Sequence, residues 1–176
     1  MENFEDKKVY HGSPQEFDSE NAIPKKNIRR RWNKETESYD TIFDQDSFHA
    51  TSEKWIALAY TYNGKKPFEI DGRNAHYNMG VSLYTNNRTI CIFGFNSLEE
   101  SLKVLYGEGG YVYHFDKDKF LYKEGLGNLE VIIEEPVKPI SVEKIDDPVS
   151  EMRKLGIKFY FADLGLKENE DKRNYF

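Results

Sequence analysis

The sequence predicts an α+β fold, a single domain built on a largely antiparallel sheet that is split or folded. Three observations lead there. The 176 residues match one domain, long enough to bury a real core. Strand-like runs do not alternate regularly with helical ones, as the βαβ rhythm of a parallel sheet would require. Residues 81–85 and 89–95 flank Asn86-Asn87-Arg88, which reads as a hairpin because asparagine tolerates positive φ.

The elements follow in chain order. Residues 1–6 and 166–176 are charged and read as flexible termini, so the domain proper is 7–165. KVYH, at 8–11, is a short strand ended by the turn cluster Gly12-Ser13-Pro14. From there to about Asp46 the chain is polar and without a clean period, so it reads as mostly loop that could carry a short helix. Residues 47–50 form a strand, and Thr51-Ser52 offers an N-cap to a helix with Trp55, Ile56, Ala59 and Tyr62 at helical spacing. Residues 67–75 are ambiguous. Ser97-Leu98-Glu99-Glu100 is a capping box opening a helix with Leu98, Leu102 and Leu105 on one face, stopped at Gly107. Strands at 111–115, 129–134 and 140–144 come next, a short helix at 148–155 ends at Gly156, and an apolar run at 157–161 closes the domain.

Composition narrows the function classes. With 25 basic and 31 acidic residues the net charge is −6, which argues against a surface that is nucleic-acid footprint throughout. No apolar run approaches the ~20 residues of a membrane helix, and the N-terminus is not a signal peptide. The lone cysteine, Cys91, cannot form an internal disulfide and reads as a buried strand residue; a reducing compartment, the cytoplasm, is expected. His11, His49, His76 and His114 lack metal-ligand spacing, so no metal is expected. Twelve tyrosines and twelve phenylalanines fit both strands and a site that stacks flat ligands.

Three separated pieces carry candidate chemistry: Tyr10-His11-Gly12-Ser13, Phe48-His49-Ala50-Thr51-Ser52, and Asn128-Leu129-Glu130-Val131 followed by Pro-Val-Lys-Pro-Ile. Each sets a polar residue on or beside an apolar strand. Taken singly, a strand-end histidine is more often structural and a strand glutamate more often faces water.

In this order the pieces resemble the NAD-dependent ADP-ribosyltransferase superfamily, across roughly residues 8–146. Val9-Tyr10-His11-Gly12-Ser13 is similar to its His-Gly-Thr/Ser first strand. Ser47-Phe48-His49-Ala50-Thr51 is similar to its second motif, and Leu129-Glu130-Val131-Ile132 to the strand that begins with the acidic residue. The resemblance implies a split sheet forming a cleft, NAD as co-substrate, and transfer of ADP-ribose to an acceptor that the sequence leaves open: protein, nucleic acid or small molecule.

It also implies roles. Breaking the nicotinamide glycosidic bond develops positive charge on the ribose, which the carboxylate of Glu130 would favour in the transition state. His11, with Gly12, Ser13 and Thr51, would position the cofactor, and Tyr60 would stack on it or else pack its helix on the sheet. If Phe48 points into the core, His49 occupies the cleft position usually held by tyrosine, similar to the His-His arrangement of the RNA 2′-phosphotransferases. Asn128 and His11 stand where arginine-specific relatives carry other residues, which argues against that branch. Glu134 and Glu135 are alternatives to Glu130. The basic run 25–31, with Arg29 and beside Trp32, would meet a diphosphate or a nucleic-acid acceptor, or simply be a solvated loop. The alternatives are an RNA 2′-phosphotransferase-like enzyme and a non-catalytic nucleotide-binding or interaction module that kept the fold. Residues 64–80 would be an acceptor-side loop.

Overall fold

Along the chain run β1 (Lys8–Ser13), β2 (Lys25–Asn33), β3 (Ser38–Thr51), α1 (Lys54–Ala59), β4 (Phe68–Ile70), β5 (Arg73–Ala75), β6 (Gly80–Tyr84), β7 (Thr89–Gly94), α2 (Leu98–Tyr106), β8 (Gly110–Asp116), β9 (Glu130–Ile133), β10 (Ser141–Ile145), α3 (Pro148–Lys154) and β11 (Lys158–Asp163). This computed structural model describes residues 7–17, 22–63, 68–70, 73–75, 80–94, 96–127 and 129–163. The expected flexible termini fall outside these, as do Asn128, His76 and most of the loop expected at 64–80, from which β4 and β5 emerge as a small antiparallel hairpin.

The larger sheet has the order β10-β8-β1-β3-β2, and β9 pairs with the end of β3. Its pairings are all antiparallel. The smaller sheet, β11-β7-β6, contains one parallel pair, β11 on β7. The result is an α+β, mostly antiparallel single domain with few helices.

Strand alternation divides the core in two. Val9, Tyr113 and Phe115 enter one cluster with Ala50 and Val131, while their neighbours Tyr10 and Val112 enter the other, beneath the three helices. The larger sheet is thus covered on both faces, which is why β8 reads as a nearly unbroken apolar run. In α1, Trp55, Ile56 and Leu58 are all buried, each worth about 1.5–3 kcal/mol of transfer free energy.

Several local expectations change. β1 continues through Gly12 and Ser13, which pair with Val112 and Tyr111 of β8, so the turn begins only at Pro14. The segment expected to be loop is the long β2–β3 hairpin. Most of its residues are exposed, so no inward and outward period marks them as strands. Thr51 and Ser52 do not cap α1; Glu53 occupies that position, with its N–H donating to the Thr51 hydroxyl at 3.2 Å. The helix ends before Tyr60 and Tyr62. In the β6–β7 connection the left-handed residue is Arg88, with φ 49°, rather than either asparagine. Ser97 caps α2 as expected, accepting from the Glu100 N–H. Cys91 is half-buried rather than enclosed.

Candidate functional site

β1 and β3 share one paired position, Tyr10 with Thr51. Beyond it a cleft of about 970 Å³ is lined by His11, Arg29, His49, Tyr60 and Glu130, together with Gly12, Ser13 and Thr51. The residues named first for catalysis and cofactor binding therefore reach one cavity, although five separate segments supply them.

Gly12 is needed where it stands. A Cβ there would lie 1.7 Å from the carbonyl oxygen of Ala57, so only glycine lets α1 sit against β1. His11, next to it, points to the opposite face of the strand. Its ring packs against Phe48 at 4.6 Å between centroids, and Nδ1 lies 2.8 Å from the backbone oxygen of His49. Burial pushes the His11 pKa down, outweighing that bond and adding to repulsion from His49. The neutral ring must donate from Nδ1, because a carbonyl only accepts, and this leaves Nε2 as an acceptor.

Glu130 opens β9 opposite Thr51, on the face of β3 that carries His49. Its Oε1 accepts from His49 Nδ1 at 2.6 Å and from the Arg29 guanidinium, while Oε2 takes a long bond, 3.4 Å, from the Gly127 N–H. Burial opposes ionisation of Glu130. The His49 hydrogen bond and the Arg29 charge overcome it and hold the carboxyl below its ordinary range. Arg29 reaches this point from β2, immediately before a register irregularity in the β2–β3 ladder, the kind of feature that re-aims a side chain.

Tyr60 is 53 % exposed at the end of α1, so it does not serve as packing for that helix. Partial removal from water, with the Glu130 charge adding, raises its phenol pKa and keeps it a hydrogen-bond donor. Ser13 spends its hydroxyl on a local turn, donating to the Gln15 carbonyl at 2.6 Å. Thr51 lines the cleft with its hydroxyl already engaged by Glu53. Glu134 binds Lys123 at the surface and Glu135 is exposed, so neither alternative carboxylate lines the cleft.

Phe48 lies between two expectations: it packs against the second core cluster and also lines the cleft beside His11. Both Phe48 and His49 therefore reach the cavity, from opposite faces of one strand. Three further residues were not named as site residues from the sequence. Phe17 stacks on Tyr113 at 3.9 Å and flanks His11, Lys25 brings a second cation to the cleft wall, and Ser47 hydrogen-bonds His49. Strand alternation puts Ser47 on the face of His49, whereas Lys25 owes its place to a register hidden in the segment read as loop.

Chemically, the cleft offers hydrogen-bond acceptors at Glu130 and His11, cations at Arg29 and Lys25, and aromatic faces at Phe48 and Tyr60. Among the described residues no group of three His, Cys, Asp or Glu is arranged to hold a metal ion, and no helix is long and apolar enough to cross a membrane. Comparison with protein-family models, curated proteins and solved structures found no match for the chain.

Proposed function

We propose that this protein binds NAD in the β1–β3 cleft, cleaves the nicotinamide glycosidic bond and transfers ADP-ribose to an acceptor. The observation that carries this reading is the ionised Glu130 held by His49 and Arg29 in the same cleft as a neutral His11.

As nicotinamide leaves, the ribose carbon becomes oxocarbenium-like and needs a fixed negative charge. Glu130 supplies it without reorganising, since its partners already lock its position. Its Oε2 retains acceptor capacity for a ribose hydroxyl. His11 Nε2 offers an acceptor to the other ribose, Lys25 and Arg29 suit a diphosphate, and Phe48 and Tyr60 suit flat rings. The likeness of the three motifs to the ADP-ribosyltransferase superfamily points the same way.

One observation favours a second reading, an RNA 2′-phosphotransferase-like reaction: His49 and Arg29 meet in the cleft, a histidine and a cation suited to a phosphate. Glu130 beside them disfavours it, because a carboxylate repels the phosphate that such an enzyme must bind.

The test is incubation with NAD labelled in the adenylate half, following nicotinamide release and label transfer for the native protein and Glu130→Ala. Release that depends on Glu130 supports the proposal. Full labelling by the variant overturns the central role given to the carboxylate, and activity only on 2′-phosphorylated RNA selects the second reading.

A further inference from the structure

Ser47 lines the cleft, and the reading above gives it no task. It stands two positions before His49 on β3, so both side chains leave the same face of the strand. The Ser47 Oγ lies 2.8 Å from His49 Nε2, and His49 Nδ1 lies 2.6 Å from Glu130 Oε1. Hydroxyl, imidazole and carboxylate are thus joined in the order that activates a serine in hydrolytic triads.

The direction of each bond follows from the chemistry of its ends. An ionised carboxylate can only accept, so His49 donates from Nδ1. When the imidazole is neutral, Nε2 is then bare and the Ser47 hydroxyl donates to it. Ser47 is 4 % exposed, although it lines the cleft. Only a small part of the residue therefore faces the cavity, and the Ser47 hydroxyl must be met there by a closely seated ligand.

We infer that Ser47 is an internal acceptor, a nucleophile activated by His49 that captures the ADP-ribosyl group of NAD bound in this cleft. The inference rests on the NAD-cleaving reading and names one acceptor for it. In the step, the Ser47 Oγ forms a bond to C1′ of the nicotinamide ribose while the C1′–N bond breaks. The electron pair of the broken bond leaves with nicotinamide, which departs neutral. The hydroxyl proton passes to His49 Nε2, the imidazolium is stabilised by Glu130, and the proton is then lost to solvent. The product is an O-glycosidic ADP-ribosyl serine that fills the cleft and blocks a second turnover on that molecule. Water or an external acceptor competes for the same carbon.

The experiment incubates the full chain with NAD and records released nicotinamide, intact mass and the modified position by peptide mapping. One ADP-ribosyl group on Ser47 is expected. Ser47→Ala should lose that adduct, and Ser47→Cys, which restores a nucleophile of similar size, should carry it on sulfur. His49→Gln should slow capture by at least about 100-fold, the scale of a lost general base. Nicotinamide release from the native protein with no adduct, or with the adduct at another residue, overturns the inference and leaves the NAD reading standing. No release of nicotinamide overturns that reading and the inference with it. Since mapping on the native chain decides the matter, a variant that failed to fold would not rescue the idea.

Discussion

The His11 side chain takes the place of a backbone rung: its Nδ1 lies 2.8 Å from the His49 carbonyl oxygen, one step past the paired position of Tyr10 and Thr51. A β1 side chain therefore tethers β3 where the two strands part. His11→Ala should cost about 1–3 kcal/mol, the scale of a buried acceptor left unmatched, measured by urea unfolding. It should also weaken NAD binding in calorimetry. Unchanged stability would show that the bond does not hold the strands.

Acid should weaken the fold early. His11 and His114 are both pushed below their ordinary pKa, chiefly by burial, so the unfolded chain takes up protons that the folded one refuses. Their contribution is fully present above the unfolded value of 6.5 and is lost as pH falls below it. Glu130, also lowered, adds a further loss below the ordinary carboxylate value of 4.5. Urea midpoints should drop between about pH 7.5 and pH 5.5, and replacing His114 by phenylalanine should flatten part of that slope. Among the described residues the buried Nδ1 of His114 has no hydrogen-bond partner, so phenylalanine gives up only the 3.2 Å contact of Nε2 with Glu143.

Glu130 and Arg29 should separate in kinetics. Glu130→Gln should reduce NAD cleavage roughly 100- to 1,000-fold, as loss of a preorganised charge does, with little change in the NAD dissociation constant. Arg29→Ala removes one of the groups that hold the carboxyl ionised. The acid limb of its kcat profile should therefore move to higher pH. A limb that stays in place would mean that Arg29 does not act on Glu130 during turnover.

Gly12→Ala should be among the most damaging single substitutions. The new methyl would meet backbone rather than a side chain able to turn away, so β1 and α1 must separate. A loss above about 3 kcal/mol is expected, read as a lowered melting temperature. A near-native melt would contradict the close packing of α1 on β1.

Elements with apolar residues at a regular spacing, or with a cap of their own, were legible. Ser97 with Glu100 announced α2, and the 3.6-residue spacing of Trp55, Ile56 and Ala59 announced α1. The β2–β3 hairpin was not, because it is wet on most of its length and stabilised by pairings between residues far apart in charge rather than in polarity, such as Lys26 with Asp44. The site followed the same division. His11, His49 and Glu130 lie on strands that the pattern marks, so they could be named from the chain. Arg29 could be named only as part of a basic run, since its contact with Glu130 depends on a ladder irregularity that leaves no trace in residue types. Ser47 shares the face of His49 by strand alternation, but nothing in the residue types gave it a task.

The parallel pairing of β11 with β7 has a consequence for biosynthesis. β7 is made well before β11, and β6, α2, β8 and α3 can all be in place while one edge of β7 still exposes unpaired backbone groups. On a ribosome, β11 emerges last of the described elements, so the small sheet closes only after all the others have been made. A chain truncated after α3 would retain every side chain of the cleft while presenting the edge of β7, with Ile90 and Ile92 beside it, to whatever strand came near. Loss of the last strand should therefore show first as self-association, and only later as loss of the site.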